Sequence, residues 1–204
     1  MISLFKYSDA IHEDFGKCSI ENDIIVMPFW TEEFCQYLIS VCETYTSSFR
    51  YDTNPHYLTE EMPLSRISPL LLEGFARQFK FMLPYLSEYW LDIEEEVFGI
   101  DSPYIIRYRK DGCTQMSQHC DESVITLNIK LNSDYEGCNV IFPRQSYSLH
   151  SIPVGHAAIW PGHTTHPHSV NKLIEGVKYS FVAFGKSQSM EIPPYQTICG
   201  YKFK

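Results

Sequence analysis

From Tyr104 onward, short extended runs alternate with clusters of turn residues, and this pattern restricts the possible folds more than any other feature of the chain. The runs are YIIRYRK, VITLNIKL, NVIF, HAAIWP and VKYSFVAF, and they are separated by KDG, NSDYEG and PGHTTHP. Such runs, rich in β-branched and aromatic residues and bounded by turn residues, predict β-strands. Several short strands preceded by helices are typical of an antiparallel sandwich or jelly roll, mostly β, with helices packed on one sheet.

The run 124–131 indicates what each face of its strand contacts. One face carries the aliphatic residues Ile125, Leu127, Ile129 and Leu131. The other carries Val124, Thr126, Asn128 and Lys130. Because successive side chains of a strand point to opposite faces, the aliphatic face can cover the helices while the polar face looks into the mouth of a barrel. A polar interior in a small barrel usually serves a ligand, so the pattern predicts a ligand site there.

The first hundred residues are expected to be mainly helical. After a short strand in ENDIIVMPFW, Thr31 can cap a helix that continues through EEFCQYLISVCETY. A second helix is predicted to begin at Ser68 with Pro69 as its first residue, and Pro84 should kink or end it. Its apolar stripe comprises Leu71, Phe75, Phe79 and Met82. The acidic run 94–96 is interpreted as a solvated face.

Length and composition favour one globular domain over residues 1–204, with 1–100 as helical support and 101–204 as barrel core. A hydrophobic content of 44% with 20% charged residues makes disorder an unlikely class. The net charge of −9 argues against a nucleic-acid partner and leaves small molecules or cationic partners open.

Seven cysteines, an odd number without a CxxC pair, suggest neither a disulfide framework nor a zinc ribbon. The N-terminus lacks the apolar core of a signal peptide, and no stretch reaches the roughly 20 apolar residues of a membrane span. We therefore expect reduced thiols, a cytoplasmic location and no membrane partner.

The segment QHCDES places His119 and Asp121 two residues apart just before a strand. On an extended backbone both side chains point the same way and can reach one metal ion, whereas Cys120 between them should point away. The alternative is an ordinary hydrogen-bonded turn, because a short motif of this kind also arises by chance.

Three histidines downstream, in PGHTTHPHSV, could supply a third ligand. They are His163, His166 and His168. Two histidines and one carboxylate on one side of an ion are the ligand set of non-haem Fe(II) oxygenases, and they leave adjacent positions open for oxygen chemistry. The histidines that are not ligands are interpreted as loop residues at the rim of the site.

Lys178 points to the cosubstrate. If 2-oxoglutarate chelates the iron through its keto acid, its far carboxylate needs a cation held at a set depth in the barrel. Lys178 and Ser180 lie on one face of the strand VKYSFVAF, so an ammonium and a hydroxyl group could bind that carboxylate together.

The residues from YIIRYRK to NVIF, followed by PGHTTHPHSVNKLIEGVKYSFVAF, resemble the catalytic domain of procollagen lysyl hydroxylases, within the prolyl and lysyl hydroxylase group of Fe(II)/2-oxoglutarate dioxygenases. A looser resemblance extends upstream through FWTEEFCQYLISVCE and LLLEGFARQFKFMLPYL. The implied fold is the double-stranded β-helix, a form of jelly roll. The implied cofactors and cosubstrates are Fe(II), 2-oxoglutarate and O2, with ascorbate as a further candidate.

The resemblance implies that His119, Asp121 and His168 are the iron ligands, because the ligand of the family is the second histidine of H-x-H, ten residues before the basic anchor. It also implies that Tyr108 and Asn128 line the 2-oxoglutarate pocket. Two positions depart from the pattern of the lysyl enzymes. Lys178 replaces an arginine, as in the prolyl enzymes, and the glycine-rich YEGGG appears here as YEGCN, residues 135–139, which predicts a difference on the substrate-facing side.

The implied activity is hydroxylation of an aliphatic C–H bond, with a lysyl or other amino-acid side chain of a peptide or protein as the first candidate substrate. A free amino acid or a biosynthetic intermediate is the alternative, since the glycosyltransferase modules of the lysyl enzymes do not occur in these residues. Two rival classes remain at this stage. They are a non-catalytic metal-binding barrel and a zinc hydrolase that uses the same three ligands.

Overall fold

The computed structural model describes residues 6–51, 59–188 and 201–202, so Cys199 lies outside the described residues. The strands are β1 (Ser19–Glu21), β2 (Ile24–Pro28), β3 (Arg50–Tyr51), β4 (Glu60–Pro63), β5 (Gly99–Arg109), β6 (Met116–His119), β7 (Ile125–Lys130), β8 (Tyr135–Gly137), β9 (Val140–Phe142), β10 (Tyr147–Ser148), β11 (His156–Pro161), β12 (His168–Val170), β13 (Leu173–Lys186) and β14 (Tyr201–Lys202). The helices are α1 (Glu32–Thr44), α2 (Leu64–Ile67), α3 (Pro69–Leu86) and α4 (Ile93–Glu96), with short 3₁₀ turns at Tyr7–Ala10, Thr46–Ser48, Leu149–Ser151 and His163–Thr165.

The described strands form two antiparallel sheets. The large sheet has the order β1-β2-β11-β7-β13-β5-β4-β3, with β14 added to β5 and β8 added to β13. The small sheet has the order β10-β9-β12-β6. The central strands, from β2 to β5 in the large sheet and from β9 to β6 in the small one, pair with strands far apart in sequence, as in a jelly roll. This architecture agrees with the double-stranded β-helix predicted from the sequence.

Helices α1 and α3 begin where the sequence predicts. The backbone N–H of Phe34 donates to Thr31 Oγ1 at 3.3 Å, which caps α1. Pro69 is the first residue of α3, and Pro84 lies in its last turn, two residues before the helix ends at Leu86. No helix among the described residues is long and apolar enough to cross a lipid bilayer.

One core fills the space between the helices and the outer face of the large sheet. Phe181 on β13 lies at its centre, with its ring centroid 4.7 Å from that of Phe75 on α3 and 4.8 Å from that of Trp30. The aliphatic face of β7 enters this core through Ile125, Leu127, Ile129 and Leu131, as predicted. These contacts pack the outer face of the large sheet tightly against the helices. Its inner face is therefore available for a ligand site.

The second core lies between the two sheets. It contains inward residues of the large sheet such as Ile106 and Val182, together with Val140, Phe142 and Val170 of the small sheet. Because side chains alternate along each strand, the strands β2, β5, β11 and β13 of the large sheet contribute to both cores. The polar residues Thr126 and Asn128 of β7 also face this inner space.

The structure differs from the sequence prediction in the strand content of the first hundred residues. Besides β2, which the sequence predicts, strands β1, β3 and β4 lie there and join the large sheet, so this region is not only helical support. The short strands β6, β8 and β12 were also not predicted, because each has only three or four residues and lies beside turn residues. The acidic run 94–96 is exposed, as interpreted.

We expect Phe75→Ala to lower the free energy of unfolding by about 3–5 kcal/mol, because the large cavity left against Phe181 cannot close. Urea denaturation followed by tryptophan fluorescence measures this change. Leu70→Ala on the same helix is the control: Leu70 is 72% exposed, and its loss should change the value by less than about 0.5 kcal/mol. Equal effects of the two substitutions would contradict this account of the core.

Candidate metal centre

Strand pairing brings the two histidines and the aspartate together. His168 on β12 lies directly opposite His119 on β6, and their ring centroids are 4.3 Å apart. Asp121 follows β6 by two residues, and its Oδ1 and Oδ2 lie 3.5 Å from His119 Nε2 and 3.6 Å from His168 Nε2, respectively. One donor atom from each residue lies within 4.8 Å of the others. Donors bound about 2 Å from one ion at right angles lie about 3 Å apart, so a small ion fits with a slight closure of the cluster.

Backbone carbonyl groups orient both imidazoles. His119 Nδ1 is 2.9 Å from the carbonyl oxygen of Ser117, and His168 Nδ1 is 3.0 Å from that of His166. A carbonyl oxygen accepts a hydrogen bond, so each Nδ1 is the protonated nitrogen and each Nε2 is free to bind a metal. This is the tautomer that metal-binding histidines adopt when Nε2 is the ligand.

Two donors fix the Asp121 carboxylate. Thr126 Oγ1 donates to Oδ2 at 2.7 Å, and Trp160 Nε1 donates to the same oxygen at 3.3 Å. The Thr126 hydroxyl is itself 2.9 Å from Ser123 Oγ. The donors hold one carboxylate oxygen in place and leave Oδ1 as the natural metal ligand.

The ionisation of the cluster suits a cation. Burial of Asp121 would raise its pKa, but the hydrogen bond with His119 and the nearby His168 lower the pKa below the usual value. Burial lowers the pKa of His168. For His119, the hydrogen bonds with Asp121 and Ser117 outweigh burial and raise the pKa. A charged carboxylate and neutral imidazoles are the forms that bind a metal, and the lowered pKa values of Asp121 and His168 favour these forms.

The cluster forms one wall of a cavity between the sheets, which measures about 480 Å³ when the part open to solvent is included. All seven residues predicted for the site line it: Tyr108, His119, Asp121, Asn128, His168, Lys178 and Ser180. The rest of the lining is mainly apolar and aromatic: Tyr104, Ile106, Met116, Thr126, Val140, Trp160, Val170, Val182 and Phe184. An apolar cavity with a few convergent polar groups is the usual form of a small-molecule site.

Lys178 is 4% exposed, yet no carboxylate contacts its ammonium among the described residues. Its Nζ donates to the carbonyl oxygen of Cys138 at 2.7 Å and lies 5.6 Å and 5.8 Å from the ring centroids of Tyr108 and Tyr135. Burial lowers the pKa of Lys178 to about 8. A buried ammonium in such surroundings favours an anionic ligand.

Ser180 supplies a second polar group beside Lys178. It is 1% exposed, and its Oγ has no hydrogen-bond partner in the described part of the chain. An unpaired buried hydroxyl is costly, so its presence indicates a ligand that accepts or donates a hydrogen bond there. The two residues fit the far carboxylate of 2-oxoglutarate.

Tyr108 and Asn128 lie where the resemblance implies. Tyr108 on β5 is opposite Lys178 in the register of β13, and Asn128 is opposite Val182. Arg107 and Arg109, on either side of Tyr108, both bind the buried carboxylate of Glu60 on β4, with shortest distances of 2.7 and 2.9 Å. These ion pairs fix the segment that carries Tyr108. Its contact with a cosubstrate stays a prediction.

The remaining histidines and Cys120 lie around the cluster. His166 is buried, with Nε2 3.2 Å from the carbonyl oxygen of Asp23, and it acts on the site through its own carbonyl group, which holds His168. His163 is exposed, and its backbone N–H donates to the carbonyl oxygen of Asp121 at 2.7 Å. Cys120 is exposed and does not belong to the cluster. These positions agree with the interpretation of rim and supporting residues.

Sequence reasoning missed Thr126 and Trp160 as residues of the site. Thr126 was placed on the polar face of its strand but was given no role, and its spacing from Asp121 carries no motif. Trp160 reads as an ordinary core residue of HAAIWP, since nothing in the sequence shows that β11 lies next to β7.

The segment 137–139 contacts Lys178 through its backbone. Cys138 has a positive φ of 54°, and its carbonyl group accepts a hydrogen bond from Lys178. The predicted difference on the substrate-facing side stays a prediction.

Comparisons with known proteins support the resemblance. A multifunctional procollagen lysine hydroxylase and glycosyltransferase of Caenorhabditis elegans is 27% identical over 176 residues, which cover 79% of this chain and 24% of the relative. Procollagen-lysine,2-oxoglutarate 5-dioxygenase 1 of Rattus norvegicus is 26% identical over 194 residues, which cover 85% of this chain and 26% of the relative. The chain thus spans about a quarter of the length of the curated relatives it matches. No family model matches the sequence.

Solved structures share the fold at low sequence identity. A Pseudomonas putida prolyl-4-hydroxylase superposes with a TM-score of 0.64 at 9% identity, covering 82% of this chain and 94% of that structure. A collagen prolyl hydroxylase of Paramecium bursaria Chlorella virus-1, solved with 2-oxoglutarate, superposes with a TM-score of 0.59 at 12% identity, covering 79% of this chain and 94% of that structure. The predicted resemblance and the double-stranded β-helix fold are confirmed.

We expect Thr126→Val to weaken metal binding by roughly 10- to 100-fold, because it removes the donor that fixes Asp121. Anaerobic titration with Fe(II), or with Co(II) as a spectroscopic substitute, measures the dissociation constant. Thr126→Ser keeps the hydroxyl group and should bind within about threefold of the unchanged chain. If valine and serine have the same effect, the hydroxyl does not orient the carboxylate.

Proposed function

We propose that this chain is an Fe(II)/2-oxoglutarate-dependent dioxygenase that hydroxylates an aliphatic C–H bond in a peptide. The observation that carries the proposal is one cavity with two complementary ends. One end holds two imidazoles and a carboxylate, and the other holds the buried Lys178 beside the unpartnered hydroxyl of Ser180. The similarity to procollagen lysine dioxygenases supports it independently.

Fe(II) would be held by Nε2 of His119, Nε2 of His168 and Oδ1 of Asp121. A set of two imidazoles and one carboxylate leaves coordination positions open for further ligands. When bound, the metal and 2-oxoglutarate would supply the chemistry by which one oxygen atom of O2 hydroxylates a C–H bond, while the other enters succinate as 2-oxoglutarate loses CO2. The protein residues orient the donors, favour the neutral form of His168 by burial and exclude bulk water with the surrounding apolar wall.

Lys178 and Ser180 would bind the far carboxylate of 2-oxoglutarate, with Tyr108 and Asn128 beside it. The ammonium of Lys178 provides a charge-assisted hydrogen bond, and the hydroxyl of Ser180 can donate a second one. The ligand would thereby give the buried Lys178 ammonium an anionic partner and the buried Ser180 hydroxyl a hydrogen-bond partner. Binding of the dianion would also offset the cost of burying the ammonium.

A peptide substrate is the class that the relatives favour, since they are named for procollagen lysine. Another structural neighbour is a Trichoplax adhaerens prolyl hydroxylase in complex with a hypoxia-inducible-factor peptide. Tyr104, Met116 and Phe184 are the partly exposed apolar residues of the cavity and would contact a substrate side chain. A lysyl side chain is our first candidate, and a free amino acid or biosynthetic intermediate is the second. Mass spectrometry of peptide and amino-acid libraries, in search of a gain of one oxygen atom that depends on 2-oxoglutarate, distinguishes them.

Asp121→Ala should abolish the formation of succinate from 2-oxoglutarate while the far-UV circular dichroism stays unchanged, because the carboxylate binds metal and contributes little packing. Glu122→Ala, which removes the adjacent exposed carboxylate, is the matched control and should retain activity. Succinate formation by Asp121→Ala would exclude this ligand set.

A zinc hydrolase and a non-catalytic binding module would behave differently from the proposed dioxygenase in assays of the unchanged chain. A hydrolase with a zinc centre would act without O2 and 2-oxoglutarate. A non-catalytic binding module would form no succinate under any condition. Anaerobic addition of Fe(II) and 2-oxoglutarate to the unchanged chain should give a weak visible charge-transfer band if the proposed site is correct.

The affinity for 2-oxoglutarate should depend on pH through Lys178, because only its ammonium form binds a carboxylate. Its pKa is about 8, so affinity should be constant well below pH 8 and fall about tenfold per pH unit above it. Lys178→Arg keeps the charge and should remove this decline, whereas Lys178→Ala should weaken binding on the order of 100-fold at pH 7. Titration of each metal-loaded protein with 2-oxoglutarate at several pH values, followed by tryptophan fluorescence, measures these affinities. The same pH dependence in the arginine variant would assign the titration to another group.

A further inference from the structure

A second, smaller cavity continues beyond Lys178 and Ser180, away from the metal cluster. Lys178, Ser180, Asn128 and Val140 line both cavities, so the two are contiguous around the lysine. The other residues of the smaller cavity are Lys130, Tyr135, Asn139, Leu149, Ile152 and His156. None of the described lining residues is acidic, although the chain as a whole has a net charge of −9.

The sheet register places Lys130 beside the unpartnered hydroxyl. Lys130 is the last residue of β7 and lies directly opposite Ser180 on β13. Residues directly opposite each other on paired strands point to the same face of the sheet, with Cβ atoms about 5 Å apart. Lys178, two residues before Ser180 on the same face, is a diagonal neighbour of Lys130. Two lysines, one on each of the paired strands, therefore lie on the same face of the sheet as the Ser180 hydroxyl group.

The contacts of Lys130 leave it able to bind an anion. Its Nζ donates to the carbonyl oxygen of His150 at 3.1 Å, and a lysine ammonium has three donors. Burial lowers the pKa of Lys130, and the charge of Lys130 helps burial to lower the pKa of Lys178. The two cations destabilise each other as long as no anion lies between them.

We propose that Lys130 is a second cationic residue of the subsite for the far carboxylate of 2-oxoglutarate, where it acts together with Lys178 and Ser180. This inference rests on the proposed function and deepens it. Lys178 is buried and provides the main contact, whereas Lys130 is half-buried at the open side of the cavity. Its charge strengthens binding at longer range or through a water molecule, since the small cavity has room for about one.

A surface role is the competing account of Lys130. In that account its only task is to donate to His150 and to solvate the end of β7. Substitution then changes the binding of all ligands of the cavity equally, or of none. The proposed role instead requires that the effect depend on the far carboxylate, and this difference decides between the two.

The test compares Lys130→Met, which keeps the aliphatic stem and removes the charge, with the unchanged chain. The metal-loaded proteins are titrated anaerobically with 2-oxoglutarate and, separately, with 2-oxopentanoate, in which a methyl group replaces the far carboxylate. Tryptophan fluorescence and thermal stabilisation report binding without turnover. We expect the dissociation constant for 2-oxoglutarate to rise roughly 3- to 10-fold, as for a partly exposed charge pair, and that for 2-oxopentanoate to stay unchanged.

Two further variants make the comparison specific. Lys130→Arg should restore 2-oxoglutarate binding to within about twofold, because it keeps the charge. Lys110→Met removes an exposed lysine outside both cavities and should have no effect. Because Lys130 is partly exposed, high salt should reduce the difference between Lys130→Met and the unchanged chain.

The outcomes separate this inference from the proposed function. If the unchanged chain binds 2-oxoglutarate and Lys130→Met binds it equally well, or loses both ligands by the same factor, the role of Lys130 is overturned and the proposed function stands. If the metal-loaded unchanged chain does not bind 2-oxoglutarate, both are overturned.

Discussion

The pairing of β6 with β12 is the interaction on which the metal centre depends. It sets His119 directly opposite His168, so two imidazoles that are distant in sequence lie within ligand distance of each other. A slip of one residue in this register would turn His168 to the opposite face of the sheet. The ladder is irregular just after His168, between His168 and Val170, and such a bulge is a common way of directing a side chain into a site. Carbonyl groups of the adjoining segments then complete the orientation of both rings.

Strand β13 separates stability from chemistry by the alternation of its side chains. Tyr179, Phe181 and Ala183 belong to the core under the helices, whereas Lys178 and Ser180 face the cavity. A buried lysine without a carboxylate and a buried hydroxyl without a partner each cost folding free energy. The aromatic contacts on the other face of the same strand can offset that cost. The cavity is therefore held open by packing that takes no part in ligand binding.

Much of this arrangement could be predicted from the sequence, because its signals are local. The alternation in VITLNIKL gave the two faces of β7, and Thr31 and Pro69 gave the starts of two helices. His119 and Asp121 form a short motif, and the resemblance then chose His168 among three histidines. By contrast, β1, β3 and β4, the partners of β11 and the roles of Thr126 and Trp160 depend on which strands are neighbours in space. That information is absent from periodicity and spacing.

The segment YEGCN, which departs from the glycine-rich pattern of the lysyl hydroxylases that the chain resembles, contacts Lys178 through its backbone. Gly137 and Cys138 both have positive φ angles, 76° and 54°, and this bend turns the Cys138 carbonyl group toward Lys178. A positive φ is strained for cysteine and relaxed for glycine, so the chain keeps the bend at some cost. The same turn brings Asn139 into the cavity that Lys130 also lines. The Asn139 side chain, which a glycine would lack, thus lines the same cavity as Lys130 and Lys178, so this end of the cavity is more enclosed than a glycine at position 139 would leave it and carries two lysines.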